Sequence, residues 1–266
     1  MNLLIQKTRL ASAVTVFAVL IGCGSQNNSP NTNGGVLATQ DSPNPYPVSE
    51  TDRQAAVNQL VEKRKEMLDL EGKLIAPTKE VLAANADLLK DPNAGLARLF
   101  PRGSQQAPLL LNGGGAYYQF KGRTNAYGRG NDVEYNTTNG PTLSVGFAGV
   151  DYGFFAQLGK VDIKQVDEKN PIVAFAEKQP SMNNQLEPAW RSEQNRWVNG
   201  VTNAGITFQD RTPAIVGMSY VVRSIDEGGY DVVAVFQVLR RDTVDDSLII
   251  GWKLLKELDK PELKRD

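Results

Sequence analysis

Residues 214–255, AIVGMSYVVRSI-DEGG-YDVVAVFQVLR-RDTVDD-SLIIGWKLL, decide the fold of this chain. Two runs rich in β-branched and aromatic residues, 214–225 and 230–240, flank Asp226-Glu227-Gly228-Gly229, and a polar stretch, 241–246, leads to a third run at 247–255. Tight turns between runs of this composition predict three strands in an antiparallel meander. In the middle run Val232, Ala234, Phe236 and Val238 alternate with Val233, Val235 and Leu239. With period 2 both faces are then apolar, which predicts a central strand lying beneath helices or inside a sandwich. The closing run reads as a strand or, with Lys253 near its end, as a helix.

Working outward, shorter runs of the same composition stand at 107–111, 115–120, 132–136, 142–148, 152–158, 171–177 and 205–209, separated by Gly, Asn, Asp and Pro. Upstream of them the period changes. Ala56, Val57, Leu60, Val61, Met67 and Leu68 recur at helical spacing behind Ser49-Glu50-Thr51-Asp52, predicting a helix from about 50 to 71. Pro77-Thr78 and Glu80 open a second segment, stopped by Asp91-Pro92. Helices followed by many strands predict an α+β fold, an N-terminal helical hairpin packed on a mostly antiparallel sheet or sandwich. The expected division is 51–104 helical, 105–258 an antiparallel β domain, and 259–266 a charged, solvated tail.

The N-terminus reads differently. Lys7 and Arg9 precede an apolar stretch from Leu10 to Gly22, broken by Ser12 and Thr15 and followed by Cys23. A basic start and a short apolar run closed by a small residue form a secretory signal pattern, and the run is shorter than the ~20 residues of a membrane-spanning helix. Leu20-Ile21-Gly22-Cys23 resembles the lipobox of bacterial lipoproteins. That resemblance implies removal of residues 1–22, attachment of diacylglycerol and a further acyl chain to Cys23, and a lipid bilayer as partner. More than one acyl chain, at ~0.8 kcal/mol per buried methylene, gives stable anchoring. Gly24 after the cysteine implies the outer rather than the inner membrane of a Gram-negative cell. Residues 23–50, rich in Asn, Ser, Pro and Gly, are expected to form a disordered tether reaching roughly 30 Å.

Composition removes whole classes of chemistry. The chain has no histidine, which excludes Ser-His-Asp and Cys-His nucleophiles and histidine zinc sites. Its one cysteine is assigned to lipid, so no disulfide staples the domain. Once Lys7 and Arg9 are removed, 27 basic residues stand against 30 acidic ones, a balance that argues against nucleic acid as partner. No phosphate loop, dinucleotide fingerprint or nucleophile elbow is present, and Gly113-Gly114-Gly115 reads as a bend because no lysine or helix follows it. No cofactor is expected.

Two aromatic-polar stretches are the candidate binding residues. In 117–132 Tyr117, Tyr127, Arg129 and Asp132 combine ring area with directional hydrogen bonding, as a sugar or peptide face would; the same tyrosines would also serve a core. In 187–197 Trp190, Arg191, Arg196 and Trp197 resemble a binding hot spot, and their spacing equally fits an amphipathic helix resting its rings on a sheet. Asp245 and Asp246 read as turn residues. The functional expectation is a membrane-anchored envelope lipoprotein that binds a glycan or another envelope protein without catalysis. The alternatives are a carboxylate-based enzyme on polysaccharide, using Asp132, Glu134, Asp151 or Glu187, and a structural assembly partner with a continuous apolar patch.

Overall fold

The computed structural model describes residues 48–110, 113–125, 127–128, 130–146 and 149–265. Cys23, the signal segment, the tether up to residue 47 and Arg129 lie outside them. The described chain runs α1 (Glu50–Ile75), α2 (Lys79–Ala84), β1 (Ala94–Leu99), β2 (Tyr117–Tyr118), β3 (Val133–Asn136), β4 (Thr142–Ser144) and β5 (Tyr152–Gly159). It continues α3 (Pro171–Glu177), α4 (Glu187–Asn199), β6 (Val201–Asn203), β7 (Ile206–Gln209), β8 (Arg211–Pro213), β9 (Ser219–Ile225), β10 (Asp231–Arg241) and β11 (Leu248–Leu258). The strands form a seven-stranded sheet of order β1-β11-β10-β9-β5-β7-β6 and a four-stranded sheet of order β2-β3-β4-β8. Every pairing is antiparallel, and the fold is α+β.

The two sheets pack face to face. Tyr118, Val133, Tyr135 and Leu143 of the small sheet meet Tyr220, Val222, Phe236, Ile250 and Trp252 of the large one in a single cluster. Tyr220 stacks on Phe236 with centroids 5.0 Å apart. Val221, Val233, Val235 and Phe154 point the opposite way, into a cluster closed by Val173 and Ala176 of α3 and Trp190 and Trp197 of α4. β10 is therefore a central strand with a sheet on one side and helices on the other, which its doubly apolar pattern requires. Each large side chain so buried contributes about 1.5–3 kcal/mol. Gly153 leaves no room for a Cβ, which would lie 2.3 Å from the Arg223 carbonyl oxygen on neighbouring β9 and 2.6 Å from Val145, just past β4.

Several expectations change. Residues 94–99, inside the stretch read as helical, form β1 because their backbone pairs with β11 from Ala94↔Lys253 to Leu99↔Leu248. β11 settles the open choice at the C-terminus as strand, paired on both sides. The second helical segment shortens to α2, where the Asn85 side chain donates to the Val81 carbonyl and ends the helix; a 3₁₀ turn follows at Leu88–Lys90. Residues 107–109 are a 3₁₀ turn entered through Pro108. Residues 171–177, read as strand, are α3: Asn170 caps the Ile172 amide at 2.9 Å and Pro171 occupies the first turn.

The tail is not simply solvated. Pro261 is buried, its carbonyl accepts from the Gly228 amide, and Lys264 donates its amide to Gln185. α1 departs from its expected packing in the other direction. None of its residues is buried, and Val57, Leu60, Val61, Met67 and Leu68 face solvent. Leu74 and Ile75 at its end pack against the cluster of Phe100, Ala107, Leu110, Ala116 and Tyr117. Among the described residues no helix is long and apolar enough to cross a membrane.

Candidate functional site

The small sheet has one face in the core and one facing outward, and strand alternation assigns its residues. Val133, Tyr135, Leu143 and Thr212 turn inward and are buried, so Glu134, Asn136, Thr142, Ser144 and Arg211 belong to the outer face. Register then aligns them. Tyr117 pairs with Glu134, Glu134 with Ser144, and Ser144 with Arg211, forming one transverse row across all four strands. Asn136 and Thr142 form a second row beside it. Directly opposed residues of antiparallel strands share a face.

Arg102 completes the arrangement. Its backbone amide donates to the Tyr135 carbonyl at 2.9 Å, and its guanidinium reaches over β3 to the Glu134 carboxylate at 3.2 Å. At the other end Arg211 contacts Asp210 at 3.3 Å. The two carboxylates lie deep, with 5% and 13% of their side chains exposed, whereas Arg102 and Arg211 are 60% and 63% exposed. These groups line an open cleft of about 430 Å³ together with Asn136 and Ser144. A second cleft of about 390 Å³ adjoins it through Arg211 and is lined by Gln157, Gln209 and Thr212. Tyr117 borders the row: burial first, then the negative charge of Glu134, pushes its phenol up to about 12.

The structure distributes the sequence-derived candidates unevenly. Tyr117 and Tyr127 come together, ring centroids 5.1 Å apart, with Tyr127 65% exposed at the edge of the outer face. Asp132 separates from Glu134. It precedes β3, is fully buried, and accepts from the Phe120 amide at 2.6 Å. Burial pushes its carboxyl up to about 7, opposed by the hydrogen bonds it receives.

Trp190 and Trp197 are core residues on the helical side of the large sheet. Trp190 packs edge-on to Tyr152, and Trp197 lies 4.0 Å from Phe154. Arg191 and Arg196 pair with Glu187 and Glu193 of the same helix, which is the amphipathic alternative read from the spacing. Asp151 accepts from the Glu227 amide and Glu187 sits on α4, so neither joins Glu134 in the cleft.

Arg102, Ser144, Asp210 and Arg211 escaped the sequence reading. Their signal was alternation, in Val133-Glu134-Tyr135-Asn136 and Thr142-Leu143-Ser144, but alternation alone does not say which strands lie side by side. Among the described residues no group of three or more Asp, Glu, Cys or His could hold a metal ion. No protein-family model, curated protein or solved structure matches this chain.

Proposed function

We propose that this protein is an envelope lipoprotein, held to a membrane through acylated Cys23 and a tether up to residue 50, that binds an envelope glycan on the outer face of its small sheet. The observation that carries the reading is the row Glu134, Ser144, Arg211 opening into a polar cleft, with buried Tyr117 at the end of the row. Saccharides present hydroxyls around their perimeter and an apolar ring face. A lining of amides, hydroxyls and paired charges meets the first, and exposed Tyr127 at the edge meets the second. The lipobox resemblance supplies the anchor, and the absence of histidine supports binding over nucleophilic catalysis.

The test is co-sedimentation of the full-length protein, in detergent, with isolated envelope polysaccharide. Ser144→Trp, which fills the cleft centre without touching the core face, should abolish retention of a protein that still melts cooperatively. Unchanged retention of that variant would remove the cleft as the site. Release of new reducing ends would instead favour the carboxylate enzyme, with Glu134 and Asp210 as the acids facing the cleft. Mass spectrometry of the native protein should find a diacylglycerol thioether on Cys23 at the mature N-terminus.

A further inference from the structure

The geometry points to an anionic glycan, an oligosaccharide chain bearing carboxylate groups, as the ligand of this cleft, with Arg102 and Arg211 as the residues that select it. This rests on the reading of the cleft as the binding site and adds the charge and length of what it takes.

The cleft is formally balanced, two guanidiniums against two carboxylates, but the balance is layered. Glu134 and Asp210 form its floor, and the arginines lie above them, each more than half exposed. An approaching ligand therefore meets positive charge first. Each guanidinium carries five donors in a planar fork. Arg102 contacts Glu134 through Nη1, at 3.2 and 3.5 Å. Arg211 reaches its own sequence neighbour at 3.3–3.4 Å. Both contacts are long for charge-assisted bonds, which run about 2.7–2.9 Å, so they aim the guanidiniums without saturating them.

Spacing and lining narrow the ligand further. Glu134, which anchors Arg102, and Arg211 are two strand separations apart along the row, about 10 Å between backbones, a span longer than a single sugar ring. The second cleft continues past Arg211 along β8 and adds the amides and hydroxyls of Gln157, Thr207, Gln209 and Thr212 beside the apolar Phe155, Ile206 and Pro213. A chain of several sugars with acidic groups along it fits this run of groups better than one small anion does. Val145 supplies the hydrophobic side chain in the first cleft's otherwise polar lining of amides, hydroxyls and paired charges, which suits sugar hydroxyls better than peptide side chains. β8 ends the small sheet, so a peptide added along that edge is the competing ligand, and a hexaglutamate probe separates the two.

The probes are a hexameric oligogalacturonate and its fully methyl-esterified counterpart, equal in length and differing in charge, titrated calorimetrically into the full chain in non-ionic detergent. At low ionic strength the acid should bind on the order of tenfold more tightly than the ester, and salt should narrow that gap. Arg102→Gln with Arg211→Gln should reduce the acid to the affinity of the ester. Arg102→Lys with Arg211→Lys should keep a preference for the acid, which shows that a loss in the Gln variant is one of charge and not of folding.

Equal affinity for acid and ester in the native protein would overturn the inference while leaving a glycan site intact. A preference that survives the Gln pair would also overturn it. Inorganic phosphate or a hexaglutamate peptide matching the oligogalacturonate would overturn the glycan assignment. Binding of neither oligosaccharide would end both readings.

Discussion

Asp132 shows at a single position how burial makes a carboxyl sensitive to pH. It is fully enclosed, and around it stand the Phe120 amide, Ser224, Tyr230 and Asp226, so the charged form loses water and faces a second carboxylate. Its carboxyl is therefore pushed up to about 7, against 3.8 for an unperturbed group. Below the lower value both folded and unfolded chains hold the proton, and the position costs nothing. Between the two values the folded chain retains a proton that the unfolded chain releases, so stability falls as pH rises. The full cost, on the order of a few kcal/mol, is present above the upper value. Asp132→Asn keeps an acceptor for the Phe120 amide and removes the charge. Urea midpoints measured from about pH 4 to 7.5 should decline in the native protein and stay flatter in the variant, which should be the more stable at neutrality. Parallel profiles would show that Asp132 does not set this dependence.

Arg223 of β9 ties a helix to the sheet. Only 2% exposed, it makes paired bonds of 2.9 and 2.6 Å to Asp231 of β10 and donates to the Ala176 carbonyl at 2.8 Å and to Gln179. The last carbonyls of α3 thus find their donor across the layer interface, where a helix terminus would otherwise be left unsatisfied. Arg223→Met should cost about 3–5 kcal/mol, because it strands the Asp231 carboxylate in the core. Arg223→Met with Asp231→Leu should cost less than the single change, and equilibrium denaturation of both variants measures the difference. An additive or larger loss would mean that the pair is not the source of the penalty.

Legibility at this scale follows sequence separation. The hairpins of 219–258 were readable because turn chemistry and period 2 act within a few residues. β8 pairs with β4 from about 70 residues further along the chain, and no local pattern encodes that meeting. Arg211 therefore entered the candidate site only through register. Residues 171–177 illustrate the opposite error: Ile172-Val173-Ala174-Phe175-Ala176 suits either element, and the cap at Asn170 decides it.

For the whole molecule, stability should be uneven. β10 runs between β9 and β11 and is buried from Asp231 to Phe236, whereas α1 from Glu50 to about Leu70 has no buried residue. Hydrogen exchange should label α1 amides many-fold faster than those of β10, with protection returning near Leu74 and Ile75. Limited proteolysis at Lys63 or Lys65 should release the helix and leave the sandwich folded. Protection of α1 equal to that of β10 in the monomer would contradict this picture.

Composition and local pattern determined that this chain is an α+β protein with a C-terminal antiparallel meander, that its central strand is covered twice, and that imidazole chemistry is closed to it. These properties depend on residue type and on contacts between near neighbours, both of which a linear sequence carries. Tertiary structure alone decided that Trp190 and Trp197 serve the core, that Asp132 and Glu134 part company, and that Tyr117, Glu134, Ser144 and Arg211 line up on one face. Those outcomes depend on which distant elements meet and, for the row on the small sheet, in what register, where one residue of slippage would turn Glu134, Ser144 and Arg211 to the opposite side.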